Sequence, residues 1–355
     1  MKKVKFANTA VNVSAIGIGT WGYGGYFKAD NTPSKSFEGL LHYALDHGIN
    51  FIDTAEAYAE GRSETILGKV IKHYDRQKIF IASKVSPENL HHSNLIQSAD
   101  KSLARLQCDY IDLYQIHWPN QSIPHEEYLS AIKKLVDEGK VLHFGLSNFS
   151  IEALKSISEI TEEKIQSIQV EYNLFDRSVE SDLLPYCQTN DMSLIAYSPL
   201  DQGKPYADTV KKNLLALSKK YHRSPAQIVL NYLSQQSNVI PIPKTTNIEH
   251  LKEICSSCDF ALSLEDKLAI KGSMPDPSCH IPPDSIEADK NGLENFNPGV
   301  DVLAKALLEG ESIKPVRVIK NNIDNTYNLV EGKLRYWAWV EAFGVSKNIP
   351  AQIRT

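Results

Sequence analysis

The sequence predicts an α/β protein: an eightfold (β/α)8 barrel of the TIM type, opened by an N-terminal β-hairpin and followed by a small α+β unit. Three observations carry this. Eight short, apolar, β-rich runs alternate with amphipathic helical segments, the pattern of parallel β/α units. Their spacing of roughly 25–45 residues matches one strand and one helix per unit. The alternation then stops near residue 272, at a proline-rich stretch. An open doubly wound sheet is the structural alternative.

Taken in order, "MKKVKFANTAVNV" has two leading lysines but no apolar core, so it reads as a hairpin rather than a signal peptide. The strand candidates are "SAIGIG" (14–19), "NFIDT" (50–54), "KIFIASK" (78–84), "YIDLYQIH" (110–117), "LHFGLSN" (142–148), "IQSIQVEYN" (165–173), "SLIAYSP" (193–199) and "NVIPIPK" (238–244). Among the helices, 126–139 places Leu129, Ile132, Leu135 and Val136 at helical spacing and ends at Gly139. "GIGTWG" (17–22) fits G-x-G-x-x-G, but "YGGYFKADNTP" follows it. No helix opens there to receive a pyrophosphate, so the dinucleotide fingerprint is set aside. The glycines are expected to let backbone approach something at the mouth of the first strand. The barrel is expected over 1–272, a linker over 273–283 ("KGSMPDPSCHIPPDS" supplies its prolines), and a second unit over 284–355. In that unit, 301–310 and 334–344 read as helices, and 314–320 and 326–332 as strands.

Composition bounds the function. The chain has 355 residues, a net charge of −5 and five cysteines with no framework spacing. Bulk charge therefore does not favour DNA or an acidic membrane, and no stretch approaches the ~20 apolar residues of a membrane span. Few, unframed cysteines suit a reducing cytoplasm.

Barrel enzymes place their chemistry at the C-terminal ends of strands. Those ends carry Asp53, Lys84 and His117, with Tyr58 on the loop after Asp53. Singly, each has a structural reading: a cap, a solvated lysine, a core histidine, a packing tyrosine. Together they make a general-acid site. A phenol is a weak acid, a neighbouring ammonium favours its phenolate, and a buried ammonium needs a carboxylate. Asp53 would hold Lys84, Lys84 would tune Tyr58, and Tyr58 would give the proton. His117 would hydrogen-bond the substrate oxygen or share in proton transfer.

These residues stand in "GIGTWG", "FIDTAEAYAEGRSE", "ASK", "DLYQIHWP", "EGKVLHFGLSNF", "QVEYN", "AYSPL" and "IPKTTN", and over about residues 3–260 the chain resembles the aldo-keto reductase superfamily. The resemblance implies hydride transfer between NADPH and a small-molecule aldehyde or ketone, sugar-type carbonyls included. It carries the catalytic tetrad onto Asp53, Tyr58, Lys84 and His117. It implies that Ser147, Asn148 and Gln169 hold the nicotinamide carboxamide, that Tyr197 stacks on the ring, and that Thr20 and Trp21 lie near cofactor or substrate. Ser198 and Leu200, with Lys244 and Thr245, would hold the pyrophosphate and ribose 2′-phosphate, and Glu253 would approach the adenine. The family usually has Arg where this chain has His250 and Asn where it has Ile254, so NADH stands beside NADPH as cofactor. A nicotinamide-sensing regulatory subunit is the reading from another class, and a bifunctional protein with phosphate chemistry in the tail is a third.

Cys255-x-x-Cys258 lacks the second ligand pair of a zinc site and is expected to pack, and His91-His92 to lie at the surface. Trp21, Tyr26, Phe27 and Trp118 would surround the barrel mouth. The tail, through "DVLAKALLEGESIKPVRV", "YNLVEGKLRYWAW" and "IPAQI", resembles the ParB-like/sulfiredoxin-like fold. That resemblance implies a nucleotide or other phosphorylated ligand at Gly332 and Arg335. A reactive cysteine is missing from that turn, and nine Lys/Arg against ten Asp/Glu from 281 onward argue against DNA. The tail is expected to be separable: a chain ending near Lys271 should keep activity unless the tail covers the barrel mouth.

Overall fold

The computed structural model describes residues 1–203, 208–273, 279–293, 299–308, 313, 315–321 and 326–354. Strands β1 (Lys3–Lys5) and β2 (Asn12–Ser14) form the antiparallel hairpin. Eight parallel strands follow: β3 (Ile18–Gly19), β4 (Phe51–Asp53), β5 (Phe80–Val85), β6 (Ile111–Ile116), β7 (Val141–Ser147), β8 (Ile165–Glu171), β9 (Ser193–Tyr197) and β10 (Val239–Pro241), each paired with the next. The ring closes between first and last strand, where Gly17 N–H donates to the Pro241 carbonyl and Gly19 N–H to the Pro243 carbonyl, both at 3.0 Å. This closure explains the two glycines differently from the expectation. A Cβ on Gly17 would lie 2.7 Å from the Phe51 ring, and one on Gly19 would lie 3.2 Å from the Ile242 carbonyl. They accommodate the barrel's own seam.

The helices of this half are α1 (Ser34–Asp46), α2 (Arg62–Ile71), α3 (His92–Leu106), α4 (His125–Asp137), α5 (Ile151–Ile160), α6 (Leu183–Thr189), α7 (Asp208–Tyr221), α8 (Pro225–Ser234), α9 (Ile248–Cys255) and α10 (Leu264–Ser273). Every residue of β5 and β6 is buried, because helices outside and side chains inside cover both faces. In α4, Leu129, Ile132 and Leu135 face the core, and Gly139 takes φ +69° just past the end. Phe6 of the hairpin packs with Phe51, Phe80, Leu113, Ile195, Ile240 and Ile242. The hairpin thus plugs the N-terminal end of the barrel and leaves the C-terminal rim for chemistry.

The tail has its own core, with Val316, Val318, Tyr336, Trp339, Ile349 and Ala351 at its centre. Its strands are β11 (Cys279–Ile281), β12 (Ile286–Glu287), β13 (Val316–Lys320), β14 (Tyr327–Glu331) and β15 (Ile349–Arg354), in the order β11-β15-β13-β14-β12. Helices α11 (Val300–Leu308) and α12 (Lys333–Phe343) share that core. Strand β11 falls inside the stretch expected to be linker. It is an edge strand of three residues ended by Pro282, too short to show a period. Of the expected linker, 274–278 lie outside the described residues.

Candidate active site

The site grows from two adjacent strands. Asp53 ends β4 and Lys84 lies near the end of β5, so both side chains reach the rim. Both are buried, at 2% and 0% exposure. The Lys84 ammonium donates to Asp53 Oδ1 (2.6 Å), the Thr54 carbonyl (2.9 Å) and the Tyr58 hydroxyl (3.1 Å). These three acceptors use all its protons and fix its position.

Tyr58 is set by an unusual turn. Ala59, Glu60 and Gly61 take φ of 50°, 53° and 83°, and Ala59 N–H donates to the Tyr26 carbonyl at 2.6 Å. Left-handed Ala and Glu cost about 1–3 kcal/mol each, so the surroundings must hold them. Glu64 helps: fully buried in α2, it accepts from Ser83 Oγ (2.6 Å) and Arg105 Nε (2.7 Å), tying the turn's helix to β5 and α3. Sequence reasoning gave Glu64 no role, although its motif ended there.

The electrostatics differ in one respect from expectation. Burial raises the Tyr58 pKa above the ordinary 10.0, and the opposing pull of Lys84 does not overcome it. Burial works against the Lys84 ammonium, yet Asp53 and Tyr58 carry its pKa above the usual value. The phenol is therefore firmly protonated beside a firmly charged ammonium. His117 follows β6, its ring edge-on to Tyr58 at 5.7 Å, and burial together with Lys84 lowers its pKa to about 3. It is a neutral imidazole, suited to hydrogen bonding rather than to proton donation.

Ser147, Asn148, Gln169 and Tyr197 adjoin this group. Gln169 Nε2 donates to Asp53 Oδ2 (2.7 Å). Asn148, at φ 64°, donates through Nδ2 to Ser147 Oγ (3.0 Å) and the His117 carbonyl (3.1 Å), and accepts from the Tyr197 hydroxyl (2.9 Å). Thr20 is fully buried, its hydroxyl spent on the Asp53 carbonyl and Ser63, so it fastens β3 to β4. Trp21 lies edge-on to Tyr58 at 4.9 Å and against exposed Tyr26 (5.6 Å) and Phe27 (4.9 Å), and Trp118, just past β6, is also exposed.

Ser198, at φ 48°, and Leu200 lie on the loop after β9. Farther along the rim, the Lys244 ammonium sits 5.8 Å from the Tyr26 ring centroid and Thr245 is buried. His250 is exposed on α9, and Glu253 accepts from Ser224 Oγ at the start of α8 (2.8 Å). Cys255 is buried and Cys258 half-buried 3.8 Å from Ser234 Oγ; burial raises both thiols, Cys255 to about 11. Among the described residues, no three His, Cys, Asp or Glu gather as metal ligands.

In the tail, Gly332 takes φ 95° at the start of α12, and no side chain caps that helix. Arg335 donates to the Pro315 carbonyl (3.0 Å) and lies 4.0 Å from Glu331. Tyr336 and Trp339 pack in the tail core, with Trp339 Nε1 donating to the Lys347 carbonyl (3.0 Å). Sequence reasoning missed Arg317 altogether. Its guanidinium reaches from the tail to the barrel rim, donating to Glu171 (2.9 Å) and Asp176 (3.3 Å).

A protonated phenol beside a buried ammonium, at the open end of a β/α barrel, is an arrangement suited to a class of enzyme, the barrel oxidoreductases. The chain belongs to the aldo/keto reductase family, whose pattern matches residues 15–273, and is an NAD(P)H-dependent oxidoreductase. It is similar to aldo-keto reductase YhdN of Bacillus subtilis (strain 168), 39% identical over 212 residues. That match covers 57% of this chain and 63% of the relative. Methylglyoxal reductase YeaE of Escherichia coli (strain K12) is 32% identical, with 78% of this chain and 96% of the relative covered. The crystal structure of an aldo/keto reductase from Klebsiella pneumoniae in complex with NADP and acetate superposes with a TM-score of 0.71 at 33% identity, covering 78% of this chain and 96% of that one. The family match ends at 273, so the tail lies outside it.

Proposed function

We propose that this protein reduces a small aldehyde or ketone to the alcohol with NADPH, Tyr58 serving as general acid. The observation that carries this is the buried contact of the Lys84 ammonium with Asp53 at 2.6 Å and with Tyr58 at 3.1 Å. The donor set suits a nicotinamide: Ser147, Asn148 and Gln169 offer hydroxyl and amide groups to a carboxamide, and Tyr197 offers a ring face. When bound, the cofactor supplies hydride to the carbonyl carbon. The residues do the rest. Tyr58 donates its proton to the carbonyl oxygen, Lys84 steadies the phenolate left behind, and Asp53 keeps Lys84 charged and in place. Neutral His117 orients the oxygen. Lys244, Thr245 and His250 face the 2′-phosphate end, and the aromatic rim of Trp21, Tyr26, Phe27 and Trp118 selects small carbonyls, the sugar type among them. A cytoplasmic site of action accords with unframed cysteines.

The test is NADPH oxidation at 340 nm against simple aldehydes, ketoaldehydes and keto- and aldehydo-sugars. Turnover lost in Tyr58→Phe supports the enzyme. Cofactor binding without turnover on any carbonyl favours a sensor. For the tail, the uncapped start of α12 at Gly332, with Arg335 in its first turn, supports a ParB-like reading with a phosphorylated ligand. Calorimetry of the NADPH-saturated chain against ATP, CTP, ADP and sugar phosphates tests it, and binding insensitive to Arg335→Ala would refute it.

A further inference from the structure

We infer that the tail is a working part of the reductase, and that Arg317 is a positioning residue for the cofactor-binding loops. The inference rests on the NADPH reading above. Arg317 stands on β13 with 3% exposure. Its Nη1 donates to Glu331 of β14 (2.6 Å), and its Nη2 to Glu171 (2.9 Å) and Asp176 (3.3 Å); Asp201 Oδ1 lies 3.9 Å from Nη1. One guanidinium thus gathers carboxylates from four places: the end of β8, the loop after β8, the loop after β9, and the tail itself.

Those two barrel loops carry the cofactor machinery. Glu171 lies two residues after Gln169 on β8, and Asp201 lies on the loop that holds Ser198 and Leu200. The loops are stitched together. Asn173 Oδ1 accepts from Phe175 N–H and Asp176 N–H, both at 2.8 Å, while Asn173 Nδ2 donates to the Ser198 carbonyl at 3.2 Å. That same carbonyl accepts from Asp201 N–H at 2.9 Å. A continuous path therefore runs from the tail's guanidinium through Asp176 and Asn173 to Ser198. The second loop also needs fastening from outside, because Ser198, Asp201 and Gln202 take φ of 48°, 47° and 56°. Left-handed non-glycine residues persist only where their surroundings over-determine them.

Removing Arg317 would take one of two guanidinium charges from the buried cluster of Glu171, Asp176 and Asp201, leaving Arg335, whose charge also reaches Glu171 and Asp176, against an excess of carboxylates. They would repel each other, spread the two loops, and oppose the phosphates of the incoming cofactor. The chemistry of Tyr58 and Lys84 lies on other strands and would persist once the cofactor is bound. Loss of Arg317 should therefore weaken binding and spare the chemical step.

The experiment uses the full chain. NADPH affinity is measured by quenching of protein fluorescence, with kcat at saturating NADPH, for wild type, Arg317→Met, Arg317→Lys and the triple change Arg317→Met, Glu171→Gln, Asp176→Asn. Arg317→Met is expected to weaken NADPH at least tenfold with kcat within threefold. Arg317→Lys should fall between, keeping the charge but losing the fork. The triple change should recover most of the affinity, because the repulsion goes with the carboxylates. Should Arg317→Met not fold, the triple change and Arg317→Lys still decide. Affinity unchanged in every variant, or a loss in kcat with affinity intact, overturns the inference. Failure of the reading beneath it looks different: the wild-type chain would then neither bind nor oxidise NADPH.

Discussion

In the proposed mechanism Tyr58 serves as the acid, and burial keeps its proton in place. The phenol's pKa lies above 10.0 and that of His117 falls to about 3, so neither group changes charge between about pH 5 and pH 9. At saturating cofactor, kcat for carbonyl reduction should be flat across that interval and fall only as the pH approaches the raised phenol value. A full protonation limb near pH 6.5 would show that His117 donates the proton. Tyr58→Phe should lower kcat by about 10²–10⁴ with little change in NADPH affinity. Retention of more than about a tenth of the activity, a loss under ~1.4 kcal/mol, would sink the assignment. Lys84→Met should be as damaging, since it also strands Asp53. These residues were legible because each stands at or just past a strand end, where the barrel's geometry gives position a meaning. Arg317 was not, since its barrel partners lie 141 and 146 residues away in sequence and only the folded chain brings them together.

At the scale of elements, apolar periodicity revealed the barrel strands and α4, because packing imposes those periods. It could not reveal β11, which is too short for a period, or the left-handed turn at Ala59 and Glu60, whose residue types favour no such conformation. The helix shell offers a test of how closely the elements meet. Gly68 of α2 faces the end of α3, and a Cβ there would sit on the Arg105 carbonyl oxygen. Backbone cannot step aside as a flexible side chain can. Gly68→Ala should cost about 1–3 kcal/mol, lowering the melting temperature by roughly 2–4 °C per kcal/mol. Gly139, with nothing within 4 Å of a Cβ, bears only the penalty of its φ of +69°, about 1 kcal/mol in Gly139→Ala. Thermal melts followed by circular dichroism should rank them in that order. Equal melting points would mean that α2 and α3 are not in backbone contact.

At the scale of the whole molecule, barrel and tail have separate cores, and Arg317 makes buried ion contacts between them. The sequence predicts a tail that is separable unless it covers the barrel mouth, and Arg317 buries its guanidinium at that rim. A chain cut near Lys271 would leave Glu171, Asp176 and Asp201 without that partner, so its cofactor affinity should drop even if the barrel folds. Linkage supplies a test that leaves the chain intact. If a docked tail strengthens NADPH binding, bound NADPH must strengthen tail docking by the same factor. Saturation at about 100 times Kd makes up to ~2.7 kcal/mol available to the docked state. Amide exchange in β13 and β14 should therefore slow when NADPH is added, although none of the proposed cofactor-binding residues lies on those strands. In Arg317→Met the protection should vanish even at NADPH concentrations that saturate the variant. Exchange in β13 that ignores NADPH in the wild-type chain would leave the tail energetically independent of the cofactor site, whatever its contacts.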